Sequence, residues 1–296
     1  MGRSYLPPLL ILSAIWGASY TFIKVGLRDF PSAALVDVRL LLAAIVLVGV
    51  VLVRGDAGRL RPAARPGAFV GTVGMALPFL LITWGETHID SGVAAVANSS
   101  VPIFVALLAI WFAQSERAAG ARVVGLAIGL AGVAVVVGIH PEGGWWGVVG
   151  TLAVVVSSLA YAVSALFIQR RVVGVGGLEL AAASVLWGFV ALLPFALADL
   201  PHDVGWKPLG AVIVLGVVGT GVASVIVNRL IAVHGPARTM LVNYLLPGFA
   251  LLYGVTLLGE PLTGAEVGGL ALILCGVTLA AGLITFGRRV AAVPEP

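Results

Sequence analysis

Two stretches decide the fold: Glu116–Val135, ERAAGARVVGLAIGLAGVAV, and Glu260–Leu279, EPLTGAEVGGLALILCGVTL. At an offset of 144 they are identical at ten of twenty positions, among them Glu116/Glu260, Gly120/Gly264, Gly125/Gly269 and Gly132/Gly276. Upstream, at an offset of 145, Asn98 meets Asn243, Pro102 meets Pro247 and Phe104 meets Phe249. The chain is a duplication, with one copy in residues 1–140, the other in 141–290 and a short tail at 291–296.

Both copies are too greasy for water. Of 296 residues, 60% are hydrophobic and 10% charged, and the mean hydropathy is +1.12. A soluble domain is about 25% charged, so a soluble enzyme and a disordered chain are excluded and an integral membrane protein remains. Unbroken apolar runs such as Val123–Ile139 and Val212–Val227, without period-two alternation, make the spans helices instead of barrel strands. Ten are predicted, at about 5–26, 33–53, 67–87, 92–112, 122–139, 146–169, 178–198, 208–230, 237–258 and 264–286. The first reads as a retained helix, because it carries Lys24 and lacks a clear cleavage site. The single cysteine, Cys275, can form neither an intrachain disulfide nor a multi-thiolate metal site. The sequence implies no cofactor.

With the first residues inside, 13 basic residues fall in cytoplasmic loops and tails; only Lys24, Arg28 and Lys207 fall outside. The positive-inside rule then makes both termini cytoplasmic. The arginines are scattered through short loops, so the net charge of +4 is no nucleic-acid footprint. Trp145, Trp146 and Trp206 sit at the predicted outer edge, where indoles anchor helices among lipid headgroups.

Each copy holds five spans, and five is odd. Loop 4–5 is therefore cytoplasmic while its copy, loop 9–10, is on the other side, and the halves are inverted relative to each other. Inverted repeats are characteristic of secondary transporters, whose halves rock around a central site. A duplicated scaffold with no such role is the plainer reading.

The candidate site follows from the matched prolines. Pro102 and Pro247 each remove an N–H and displace the carbonyl four residues earlier, which belongs to Asn98 in one copy and Asn243 in the other. Such groups need protein or water partners within lipid, so the prolines read as hinges and the asparagines as site-lining; a kink with a self-satisfied asparagine is the alternative. Ser13, Trp16, Tyr20 and Lys24 lie on one face of span one, and Ser157, Tyr161 and Ser164 on one face of span six. Trp84 ends span three and Tyr244 adjoins Asn243. Together Trp16, Tyr20, Trp84, Asn98, Tyr161, Ser164, Asn243 and Tyr244 form a candidate chamber for a small amphipathic solute, although each alone is as readily explained by packing.

Asp37 and Arg39 are read as members of a structural ion pair with Lys24 or Asp29. Glu86, His88 and Asp90 are read as a short solvated loop that does not make a metal site. No acid falls at a predicted midplane, so modest pH dependence is expected. The spaced glycines Gly125, Gly129 and Gly132, with Gly268, Gly269 and Gly276, mark spans five and ten as scaffold or dimerisation helices.

These features resemble the drug/metabolite transporter superfamily, in its ten-helix EamA-type branch, over nearly the whole chain. The resemblance rests on Trp16-Gly17 with Lys24, on Arg39, on Pro102 through Glu116 to Gly132, and on Pro247 through Glu260 to Gly276. It implies a bacterial inner-membrane exporter, not an enzyme, with a basket of ten helices around a central cavity. Within the branch the chain is similar to the YddG type, which implies export of aromatic and other neutral amino acids. Trp16 has Ala160 as its counterpart and Lys24 has no lysine near Ile168, so the halves differ in chemistry. Cationic drugs or nucleosides are the alternative cargo. A membrane-embedded enzyme lacks a reactive constellation, and a channel lacks a charged ring or carbonyl filter. The partners expected are the small-molecule substrate and membrane lipid, not nucleic acid, and a monomer is compatible with the sequence.

Overall fold

The computed structural model describes residues 6–112, 121–138, 144–234, 239 and 242–280. Among these residues the chain is all helix. Seven helices are long and apolar enough to cross a membrane: Leu6–Gly26, Ser32–Val53, Ala57–Gly85, Ser91–Leu108, Gly144–Arg171, Gly177–Ala198 and Trp206–His234. Three shorter apolar helices cover Val123–Val136, Val242–Leu258 and Gly264–Leu279. Helices satisfy their own backbone, which is what a segment surrounded by lipid requires. The expected loop 4–5 with Glu116, and both chain ends, lie outside the described residues.

The regular helices are α1 (Leu6–Gly26), α2 (Ser32–Val53), α3 (Leu60–Gly71), α4 (Leu77–Gly85), α5 (Ser91–Asn98), α6 (Val101–Phe112), α7 (Ala121–Gly138), α8 (Gly144–Arg171), α9 (Gly177–Ala198), α10 (Trp206–Val214), α11 (Ala223–His234), α12 (Val242–Tyr253) and α13 (Gly264–Ala280). Widened turns join several of them. The π turn Thr72–Ala76 between α3 and α4 precedes Pro78, whose missing N–H would have served the carbonyl of Gly74. A second π stretch, Leu215–Val222, links α10 to α11; there Thr220 Oγ1 donates to the carbonyl of Leu215, five residues back, at 3.2 Å. A third, Gly254–Leu258, ends at Gly259, whose φ of 70° closes the helix in the left-handed region with Pro261 two residues on. α13 starts on a capping box: Thr263 N donates to Glu266 Oε2 at 2.6 Å, and Glu266 N donates to Thr263 Oγ1 at 3.3 Å.

Glycine sets the close crossings. α7 packs against α13 with Gly132 meeting the backbone of Gly269 and Ile273, and Gly276 meeting that of Gly125 and Gly129. The glycine faces are thus consumed within the chain, which favours the scaffold reading of these helices over dimerisation. α1 lies on α12 where Gly17 faces Phe249 and Ala250; α3 lies on α9 where Gly67 and Gly71 face Ala183 and Ser184; α4 lies on α8 where Gly85 faces Gly150. α2 runs between α9 and the second π stretch. The largest buried cluster, with Leu35, Leu40, Leu47, Val96, Ile103 and Leu215 at its centre, sits among these crossings. Trp145, Trp146 and Trp206 are exposed, as membrane-interface anchors are.

Candidate functional site

The break in the fourth span is the centre of the site. α5 stops at Asn98, Ser99 and Ser100 form a turn, and α6 resumes at Val101 with Pro102 in its first turn. The serine hydroxyls take up local carbonyls, Ser99 Oγ donating to Ala95 and Ser100 Oγ to Ala97. The carbonyl of Asn98, displaced by Pro102, lies 3.4 Å from Ser158 Oγ of α8. The Asn98 side chain bridges α1 and α8: its Nδ2 donates to the Tyr20 hydroxyl at 2.9 Å, and its Oδ1 accepts from Ser158 Oγ at 3.2 Å. Three helices from both copies thus meet through one amide.

A cation stands beside this bridge. Arg39 is buried, its guanidinium lies 3.7 Å from the centre of the Phe79 ring, and its Nε donates to Thr220 Oγ1 at 2.8 Å. Phe79 also meets Tyr161 edge-on, at 6.5 Å between ring centres. Arg39 is within electrostatic reach of both Tyr20 and Tyr161. A desolvated guanidinium over a ring gains about 2 kcal/mol. The expected ion pair is absent: among the described residues Arg39 pairs with no carboxylate, Asp29 Oδ2 accepts from Gly205 N, and Asp37 Oδ1 is buried without a partner. Two residues apart on a helix, Asp37 and Arg39 face different neighbours.

Lys24 holds the last turn of α1. Its Nζ donates to the carbonyls of Glu86 and Ile89, at 2.8 and 2.6 Å, tying α1 to the turn between α4 and α5. Glu86 is fully buried, so the reading of its loop as solvated is corrected. His88 stacks between Trp84 and Trp146, at 4.6 and 5.5 Å. Across the turn, the Glu260 carboxylate accepts from the backbone N–H of Ser91 (2.9 Å) and Gly92 (3.2 Å) and from Ser91 Oγ (2.6 Å). It caps α5 from the other copy.

Of the sequence candidates, Tyr20, Asn98 and Tyr161 come together here. Trp84 sits at the rim with His88. Trp16 packs lower on α1, against a separate cluster of Leu9, Leu12, Ala223, Leu230 and Val242. Ser164 is buried against Gly74 of the π turn, where an added Cβ would strike its hydroxyl. Asn243 and Tyr244 lie half-buried in the first turn of α12, which packs against α5, and Asn243 is already engaged. Pro247 lies inside α12, and the irregular turn falls after it, at Gly254–Leu258. Ser157, placed by the sequence on one face with Tyr161 and Ser164, donates to Val154 of its own helix, and it is Ser158, which the sequence reading did not single out, that reaches Asn98. Nor did that reading single out Phe79 or Thr220, and it expected for Arg39 an ion pair in place of these two contacts. A further recess of about 230 Å³, lined by Ala14, Ala18, Phe22, Val214, Val218 and Tyr253 among others, lies between α1, α10 with its π stretch, and α12.

An all-helical chain of membrane-length spans, with a polar bridge and one cation buried between its halves, has the architecture of a multi-pass membrane transporter. The comparisons with known proteins agree. The model of the EamA-like transporter family matches residues 6–138 and again 148–282, and the chain belongs to this family, within the drug/metabolite transporter superfamily. It is 32% identical over 293 residues, 95% of this chain and 94% of the relative, to a probable terminal-alkyne amino-acid exporter of Streptantibioticus cattleyicolor. It is 29% identical, over 97% of this chain and 93% of the relative, to the uncharacterized inner membrane transporter YedA of Escherichia coli K12. A solved crystal structure that is 21% identical superposes with a TM-score of 0.67 over 93% of this chain and 96% of its own, a likeness of fold.

Proposed function

We propose that the chain is a ten-span exporter that moves neutral amino acids, aromatic ones included, out across a bacterial inner membrane by alternating access, with both termini cytoplasmic. The observation that carries this reading is the Tyr20–Asn98–Ser158 bridge beside Arg39, Phe79 and Tyr161. Such a wall offers amide and hydroxyl groups, aromatic surface and one cation, the features that a zwitterion with an apolar side chain requires. Arg39 is the natural partner for its carboxylate. Trp16, Trp84, Ser164, Asn243 and Tyr244 complete the chamber as it opens, and Pro102 and Pro247 serve as hinges.

The contact pattern supports two equivalent halves, residues 1–140 and 141–290, and the odd number of spans in each is what supports their inversion. When the three shorter helices are counted as spans, exchanging span n for span n+5 maps the main packing pairs onto one another. Span one on nine answers four on six, three on seven answers two on eight, three on six answers one on eight, and two on seven and five on ten map onto themselves. The amino-acid exporter among the relatives supports the cargo. A counterflow panel in proteoliposomes tests it: labelled phenylalanine should enter vesicles preloaded with neutral amino acids faster than empty ones. No exchange of any amino acid, with exchange of a cationic drug or nucleoside instead, would refute the cargo.

A further inference from the structure

Glu86 remains unexplained by that chamber. It lies just past the end of Ala57–Gly85, is fully buried, and neither Oε1 nor Oε2 has a hydrogen-bond partner. The hydroxyls of Thr83, one turn back, and of Thr21, one turn before Lys24, are also buried and unpartnered. A sealed anion with no hydrogen bond is expensive, and buried acids of this kind accept a proton instead.

None of the neighbouring charges is hydrogen-bonded to Glu86. Lys24 and Tyr20 approach from α1, Arg39 from α2 and Glu260 from the turn before α13. Lys24 spends its ammonium on two carbonyls, Arg39 is held by Thr220 and Phe79, and Glu260 caps α5. Tyr161 of α8 lies near Arg39, and His88 and Asp90 follow Glu86 on the turn itself. Burial pushes the Glu86 carboxyl well above the usual carboxylate range; Lys24 pulls it back, Glu260 adds to the rise and Arg39 opposes it.

We infer that Glu86 is a proton-carrying group that couples transport to the proton gradient: it takes up a proton from water on the outer side when the carrier is open outward, keeps it while this wall is closed, and releases it to water on the cytoplasmic side when the carrier is open inward. One proton thus crosses inward per transport cycle, and no bond other than O–H changes. The inference rests on the carrier reading above, and it replaces the modest pH dependence that the sequence suggested.

The test uses the full chain in proteoliposomes with labelled phenylalanine. Glu86→Gln, which keeps shape and mimics the protonated acid, should retain counterflow within about twofold and lose accumulation driven by an imposed pH gradient by about tenfold, with partial return in Glu86→Asp. Equal gradient-driven accumulation in Glu86→Gln and wild type would overturn the role. A second readout does not depend on cargo. A folded-state proton bound above the unfolded carboxyl range makes stability fall as pH rises through that window. Wild type in detergent should show that fall, and Glu86→Gln should flatten it. Identical profiles in the two would overturn the inference even if phenylalanine is not the cargo, whereas a flattened profile without phenylalanine exchange would leave Glu86 in place and reject only the cargo.

Discussion

Removing the Glu260 carboxylate should loosen the contact between the two halves by a calculable amount. α5 begins at Ser91 with Asp90 at its N-cap position, yet Asp90 makes no side-chain cap bond. The cap comes from Glu260, 169 residues away, through three hydrogen bonds, the shortest at 2.6 Å from Ser91 Oγ. Hydrogen bonds to a charged group contribute about 1.5–3 kcal/mol each when buried, and a carboxylate at a helix N-terminus about 0.3–1 kcal/mol. Glu260 is half-buried, so the total for Glu260→Ala is discounted to about 2–4 kcal/mol. At about 2–4 °C per kcal/mol for a chain of this size, melting in detergent should fall by about 4–16 °C. The sharper assay is a double-mutant cycle with Ser91→Ala. The short O–H···O⁻ bond should appear as a coupling of about 1–2 kcal/mol. Additive effects within about 0.3 kcal/mol would refute the claim that this bond closes the two halves together.

Other outcomes follow from the same geometry. Gly276→Ala places a Cβ 2.6 Å from Gly125 O and from Gly129 Cα, both backbone atoms that cannot swing aside. It should cost about 1–3 kcal/mol in unfolding, whereas Gly268→Ala on the same helix, with nothing within 4 Å, should be neutral or stabilising. Lys24→Met strands two carbonyls at the α4–α5 turn and should cost about 1–3 kcal/mol for each group left unsatisfied, read as a lower melting temperature. Asn98→Leu removes partners from Tyr20 and Ser158 together. Counterflow should fall by about tenfold or more, while Ser157→Ala, which touches only its own helix, should transport normally.

The all-helical, membrane-spanning character was legible because lipid imposes helix length and hydropathy directly on sequence. The break after Asn98 was legible too, since a proline dictates which carbonyl loses its donor. The choice between Ser157 and Ser158 was not: both lie on the same helix, and only the position of α5 decides which hydroxyl reaches Asn98. Arg39 was misread because its partners, Phe79 and Thr220, are an aromatic ring and a hydroxyl far away in the chain, whereas nearby charges suggested an ion pair. Glu86 followed a span end and preceded Thr, His and Asp, a polar run that looks solvated. Its burial depends on Lys24 folding over from α1, which no local pattern encodes. The third span also began ten residues before its expected start, because Leu60–Gly67 is polar on one side and helical all the same.

That early start has a mechanical consequence. Ala57–Gly85 and Trp206–His234 have 29 residues each, and Gly144–Arg171 has 28. At about 1.5 Å per residue such a rod measures about 42–44 Å, against a hydrocarbon slab of about 30 Å. Ser32–Val53, with 22 residues, measures about 33 Å, close to that slab. Rods of unequal length bound into one bundle cannot all stand at the same angle, so the long ones must lean or protrude. Bilayer thickness therefore acts on this protein as a load, and lipids of shorter acyl chain should bias how the long rods lie against the shorter ones.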